Sequence, residues 1–220
     1  MGRPEAGATK PQPWPVRLTH WLNVPLLLAM VGSGLQILVA YPYQGPHGEL
    51  YAWFPLQGTT PPEWMRLGVW LAGARHWHFA FMWLFAANAL VYLAYLALSG
   101  EWRRRAFLVR RDLPSLGRTM ASYARLRAMP TGGELYNGLQ RLAYTSVFLL
   151  ALVELLSGLA LYKPVQLHRL ASLFGGYDGA RLVHFVGMAL LLFFLAGHVA
   201  MVLLHPRSLA EMVTGGRRRE

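Results

Sequence analysis

The sequence predicts an all-α integral membrane protein, a four-transmembrane-helix bundle with both termini cytoplasmic. Three observations carry that prediction: the composition, four apolar runs of spanning length, and the one-sided placement of the basic residues. Of 220 residues, 55% are hydrophobic and only 14% charged, a balance unlike that of a soluble globular domain. Apolar runs at about 19–40, 78–98, 141–162 and 182–204 each reach the roughly 20 residues that a helix needs to cross a bilayer. Sixteen of the 21 Lys and Arg fall on one side of these spans. They are Arg3, Lys10 and Arg17 in the first tail; Arg103 to Arg105, Arg110, Arg111, Arg118, Arg125 and Arg127 in the second connection; Arg141; and Arg207 with Arg217 to Arg219 in the last tail. Arg66, Arg75, Lys163, Arg169 and Arg181 fall on the other. The positive side is the cytoplasmic side.

Taken in order, residues 1–18 form a proline-rich cytoplasmic tail, MGRPEAGATKPQPWPVRL, without a cleavage-site pattern, so the first span is expected to remain as an anchor. The membrane domain then occupies 19–204 and a basic cytoplasmic tail 205–220. Between the first two spans, residues 41–75 are aromatic and rich in proline, too apolar for a free linker, and are expected to fold over the outer end. The second connection holds DLPSLGRTMASYARLRAMP, in which Asp112 can cap a helix with Pro114 in its first turn. Leu113, Leu116, Met120 and Tyr123 recur at helical spacing, which predicts a cytoplasmic surface helix whose arginines face anionic membrane lipids.

A net charge of +11 raises the question of nucleic acid. The arginines collect between apolar runs rather than on a mixed polar and aromatic face, so no nucleic-acid partner is expected. The chain contains no cysteine. Disulfides, thiolate-bound clusters and covalently attached c-type haem are therefore excluded.

The fourth span, ARLVHFVGMALLLFFLAGHV, carries His184 and His198 14 residues apart. Fourteen helical residues turn through about 1400° and rise about 21 Å, which puts both imidazoles on nearly one face at two depths. One histidine in such a helix is ordinarily a satisfied core residue; two on one face call for something that stabilises both. His20 opens the first span at the depth of His198, and RHWHF opens the second at the depth of His184. Two inter-helix His pairs without a carboxylate or thiolate suit a planar macrocycle's iron better than zinc, which takes four tetrahedral ligands, or non-haem iron, which takes a carboxylate. The expected cofactors are two haem b, bound non-covalently with bis-histidine iron at His20, His78, His184 and His198.

Arginine supplies an independent argument. Arg17, Arg75 and Arg181 each precede a histidine (His20, His78, His184) by three residues at the start of a span. Each arginine therefore lies about 4.5 Å nearer the water on its histidine's side, where it can meet haem propionates. Interfacial anchoring explains any one of the three but not their shared register. The register selects His78 over His76, which points about 200° away.

Gly34 follows His20 by the same 14 residues and bares the first helix at the outer haem's depth, although small residues also serve ordinary helix packing. For quinone, Asn137, Gln140 and Arg141 lie within one turn at the inner start of the third span. Helix capping by Asn137 and anchoring by Tyr136 and Arg141 account for them equally well. Glu154 lies deep in the third span, as part of a proton path or as a satisfied bundle-facing carboxyl. His47, His168 and His205 are read as surface or interfacial residues.

PVRLTHWLN, AGARHWHFAFMWLFAANALVYLAY, SGLALYKPVQL, LFGGYDGARLVHF and AEMVTGG resemble the thiosulfate reductase-type cytochrome b subunits, within the group of nickel–iron hydrogenase and formate dehydrogenase b-type cytochromes. The resemblance runs from Pro15 to Gly216. It implies a dihaem cytochrome of the bacterial cytoplasmic (inner) membrane, passing electrons between menaquinone or ubiquinone and a periplasmic redox protein, commonly a molybdopterin oxidoreductase. Carried over by position, its ligands are His20, His78, His184 and His198. Two other classes stay open: a self-contained membrane oxidoreductase acting on superoxide or a ferric chelate, and a haem-free carrier or channel.

Overall fold

The computed structural model of the chain describes residues 12–43, 48–49, 59–124, 137–204 and 206–215. Four long helices, α1 (Trp14–Ala40), α2 (Leu71–Ser99), α5 (Gly138–Tyr162) and α7 (Gly176–Leu204), are each long and apolar enough to cross a membrane. Shorter helices connect or follow them: α3 (Trp102–Arg105), α4 (Val109–Ala124), α6 (His168–Leu173) and α8 (Pro206–Thr214), with a 3-10 turn at Glu63–Met65. Arg3, Lys10, His47, Arg125, Arg127, Tyr136, His205 and Arg217 to Arg219 lie outside the described residues.

The four long helices are apolar all round, and their burial is inverted relative to a water-soluble core. Thr19, Ser33, Gln36, Asn88 and Ser157 are buried, whereas Leu28, Trp83, Leu90, Leu149 and Phe193 are exposed. Lipid explains the inversion, because it solvates apolar side chains as well as a protein interior does and leaves helices to associate through small and polar residues. Asn88 shows the pattern on α2: its amide donates to Thr19 O and to Asn23 Oδ1 on α1, both at 2.8 Å.

The chain divides into two compact units. One holds residues 18–91 and 151–192. In it, Ala160, Ala171 and Ala180 are buried together, small residues that let α5, α6 and α7 approach closely. One turn of α1 anchors the segment leading into α2: Gly32 O accepts the Leu67 N–H at 3.0 Å, and Gln36 donates to Val69 O at 2.9 Å while accepting from Arg66 at 3.0 Å. Val69 has φ +59°, a left-handed conformation uncommon for a β-branched residue, and those bonds hold its neighbourhood in place.

The other unit holds residues 1–17, 92–150 and 193–220. Its centre is Asp112, only 1% exposed. Arg141 donates to Asp112 Oδ1 at 2.7 Å, Arg111 to both carboxylate oxygens at 2.8 and 2.9 Å, and the Leu108 N–H to Oδ2 at 2.9 Å. Burial by itself would raise the Asp112 carboxyl; the bonds from Arg111, Leu108 and Arg141 overcome it and hold the group down at about 2. The helix expected to begin at Asp112 begins earlier, at Val109. Asp112 reaches back one turn to the Leu108 N–H, so the added turn has its own side-chain acceptor. The tail likewise contains more structure than its sequence suggested. Pro206 opens the amphipathic helix α8, where its missing N–H costs nothing.

Candidate functional site

The second and fourth long helices bring His78 and His184 together. Their ring centroids are 6.2 Å apart and their planes 78° from parallel. Two metal–nitrogen bonds of about 2.0 Å in line, with a ring radius added at each end, separate the centroids of opposed imidazoles by about 6 Å. The spacing therefore fits one metal held between the two rings. Among the described residues, no three His, Cys, Asp or Glu side chains cluster as an ion site. Two imidazole nitrogens are the donor set that a macrocycle's iron takes from a protein; contrary to the carboxylate-free pair expected from sequence, the Glu154 carboxyl lies beside them, against His184 Nδ1.

Two serines that sequence reasoning missed complete the geometry. Ser33 Oγ, on α1, donates to Ala29 O at 2.6 Å and lies 3.0 Å from His78 Nδ1. Ser157 Oγ, on α5, donates to Val153 O at 2.7 Å and lies 3.0 Å from His184 Nδ1. Both serines are wholly buried. A glycine follows each one against the same imidazole: a Cβ added at Gly34 would stand 3.6 Å from His78 Cε1, and one at Gly158 would stand 3.2 Å from His184 Cε1. The close approach at Gly34 is thus to the His78 ring. The available signal was a repeated tripeptide, Ser33-Gly34-Leu35 and Ser157-Gly158-Leu159, placed in two apolar helices.

Glu154 belongs to this site as well. Its Oε2 lies 3.2 Å from His184 Nδ1, its Oε1 is buried without a hydrogen-bond partner among the described residues, and a Cβ at Gly187 would overlap the carboxyl group. His76 is not part of the pair; it is exposed and lines a groove of about 260 Å³ with Phe79, Ala80, Trp83 and Tyr162.

The three arginines have different surroundings. Arg181 is buried; it donates to Tyr43 O, lies 3.6 Å from Asp178 and stands 4.9 Å from the Tyr41 ring centre. Arg75 is exposed, with its guanidinium 5.7 Å from the Phe79 ring. Arg17 donates through Nε to Met212 O at 3.1 Å and through Nη2 to Val213 O, which satisfies carbonyls at the end of α8.

His198 stacks on Phe194 with ring centres 6.0 Å apart, and His20 meets the edge of Trp21 at 5.6 Å. These two histidines fall in different compact units. At the start of α5, Asn137 and Gln140 form a reciprocal cap: the Asn137 N–H donates to Gln140 Oε1 at 3.0 Å and the Gln140 N–H to Asn137 Oδ1 at 2.9 Å. Arg141 is held by Asp112 and by Arg104 O at 3.0 Å. All three residues of the expected quinone cluster thus have structural partners.

Comparison with known proteins agrees with this chemistry. A family model described as prokaryotic cytochrome b561 matches residues 12–215. A chain of Azospira oryzae named "Putative protein-methionine-sulfoxide reductase subunit YedZ1" is 41% identical over 210 residues, covering 92% of this chain and 94% of that relative. No solved structure matches the chain. With a match across nearly its whole length, the chain belongs to the prokaryotic cytochrome b561 family, membrane b-type cytochromes that transfer electrons.

Proposed function

We propose that this cytochrome is the membrane subunit of a two-component reductase, carrying electrons from the quinone pool to a periplasmic oxidoreductase that contains molybdopterin. The observation that supports it best is the His78–His184 pair, spaced for one iron and set beneath the segments that the basic-residue count puts outside. His20 and His198, near the other ends of their spans, are the ligands proposed for a second haem. When bound, haem supplies a one-electron centre at each depth. The chain's part is to hold the axial imidazoles, shield them in apolar helices, and meet propionates with Arg75 and Arg181. Arg17 is proposed for the inner haem, from the bond network at the end of α8.

The relative's name, a putative protein-methionine-sulfoxide reductase subunit, favours that reductase class over the thiosulfate reductase type. The substrate class proposed for the partner is therefore methionine sulfoxide in proteins. Quinone, menaquinone or ubiquinone, is proposed to exchange at the cytoplasmic side beside Asn137, Gln140 and Arg141. Both termini are proposed to lie on that side.

The test is affinity purification of the tagged chain from its native membrane, followed by quinol addition. Quinol should reduce the b-type spectrum, a molybdenum-containing subunit should co-purify, and the complex should reduce oxidised methionine in a denatured test protein. Consumption of superoxide or a ferric chelate by the chain alone, with no co-purifying subunit, would favour the self-contained oxidoreductase instead.

A further inference from the structure

The structure assigns a matched pair of positioning residues to the haem proposed between His78 and His184, and this inference rests on that proposal: Ser33 and Ser157 fix both axial imidazoles in one tautomer, with the following glycine admitting each ring. A serine hydroxyl has a single proton to donate. Ser33 Oγ spends it on Ala29 O at 2.6 Å, and Ser157 Oγ on Val153 O at 2.7 Å, the back-bond that a helical serine makes to the preceding turn. At 3.0 Å from the imidazoles, each oxygen then has only lone pairs to offer. The proton in each contact comes from the ring, so His78 and His184 carry it on Nδ1. Nε2 of each ring is left with its lone pair, the atom through which an imidazole in this tautomer would bind iron.

The arrangement is duplicated, which separates it from incidental packing. Each serine sits one residue before a glycine whose missing side chain makes room for the same imidazole's Cε1 edge. Two helices, α1 and α5, present this dipeptide to rings from two others, α2 and α7. The two halves differ in one respect. Each ring also has a backbone carbonyl as acceptor, Met30 O for His78 and Glu154 O for His184, and His184 Nδ1 has in addition the Glu154 carboxyl, with Oε2 at 3.2 Å.

A hydrogen bond donated from Nδ1 makes an imidazole a stronger electron donor and favours the oxidised iron. Losing one should raise the midpoint potential. The full chain, purified in detergent with its haems, is compared as wild type, Ser33→Ala, Ser157→Ala, Ser33→Cys and Ser157→Cys, with potentials from spectroelectrochemistry and ferric signals from electron paramagnetic resonance. Each alanine variant should raise the potential of one haem, the same haem in both, and leave the other unmoved. Ser157→Ala should raise it less, because the Glu154 carboxyl remains there beside the backbone carbonyl that each ring keeps. Cysteine, close in size but a weak acceptor, should fall between serine and alanine.

Loss of that single haem with the other retained also supports the assignment. Alanine variants with wild-type potentials and ferric signals would overturn it. So would cysteine variants at the wild-type value where alanine variants lose both haems, since size alone would then account for the serines. The underlying haem proposal fails differently: a wild-type chain without a b-type spectrum, or His78→Ala with undiminished haem, removes that reading and this one together.

Discussion

The imidazoles of His78 and His184 stand almost perpendicular, 78° between planes, at a centroid distance of 6.2 Å. Imidazoles crossed at this angle on one iron would leave the d orbitals that they share nearly equal in energy, and low-spin ferric iron so held would give a strongly anisotropic resonance. One haem of this cytochrome is expected to show such a signal at low temperature. A signal set typical of parallel ligand planes for every haem would contradict the observed ring geometry.

Replacing His78 or His184 by Ala should remove one haem and leave the other, read by the pyridine haemochrome assay. His20→Ala or His198→Ala should remove the second. His76 is exposed, and its replacement should leave haem content near normal. Retention of both haems in His78→Ala, with loss in His76→Ala, would show that the i−3 arginine register selects the wrong histidine.

The two glycines should differ in tolerance. An added methyl at Gly34 meets His78 Cε1 at 3.6 Å, an ordinary contact, whereas at Gly158 it meets His184 Cε1 at 3.2 Å and the ring must give way. Gly158→Ala should therefore alter the haem spectrum or content more than Gly34→Ala. Equal effects would mean that the neighbouring helices, not the rings, set the spacing.

Much of this was legible in the sequence, for identifiable reasons. Spanning helices announce themselves through run length because lipid demands an apolar surface on every side. The histidines stand out because an ionisable group in such a run is costly. Ser33 and Ser157 were legible only as a repeated Ser-Gly-Leu, since a serine in an apolar helix reads as a small packing residue until the ring beside it is seen. Arg141 illustrates a different limit: its partner Asp112 lies 29 residues away and appears only on folding. Arg17 belongs to the same class, with acceptors at Met212 and Val213.

The Asp112 network makes a stability prediction. Asp112→Ala leaves Arg141 buried without its carboxylate, a change that typically costs about 3–5 kcal/mol. The thermal midpoint in detergent should fall markedly. With a folded value of about 2, below the 3.8 of the free side chain, the carboxylate's contribution is complete above about pH 4 and is lost as pH falls toward 2. A wild-type chain whose stability falls between pH 8 and 6 must owe that loss to other groups.

Arginine neutralisation separates propionate contact from anchoring. Arg181→Gln or Arg75→Gln should lower the potential of the haem proposed between His78 and His184 by tens of millivolts, on the order of a charge-assisted bond lost beside a one-electron centre. Arg17→Gln should also loosen α8, which is measurable as faster proteolysis of the tail, because Arg17 supplies donors to Met212 O and Val213 O. Unchanged potentials in all three variants would assign the arginines to anchoring alone.

One chain is proposed to hold two haems, one of them between α2 and α7. Haem stoichiometry per polypeptide, determined together for wild type and His184→Ala, is the decisive measurement. Two haems in the wild type, and one in the variant at the wild-type potential of the haem that remains, is the predicted result. A single haem in the wild type, or two in His184→Ala, would contradict it.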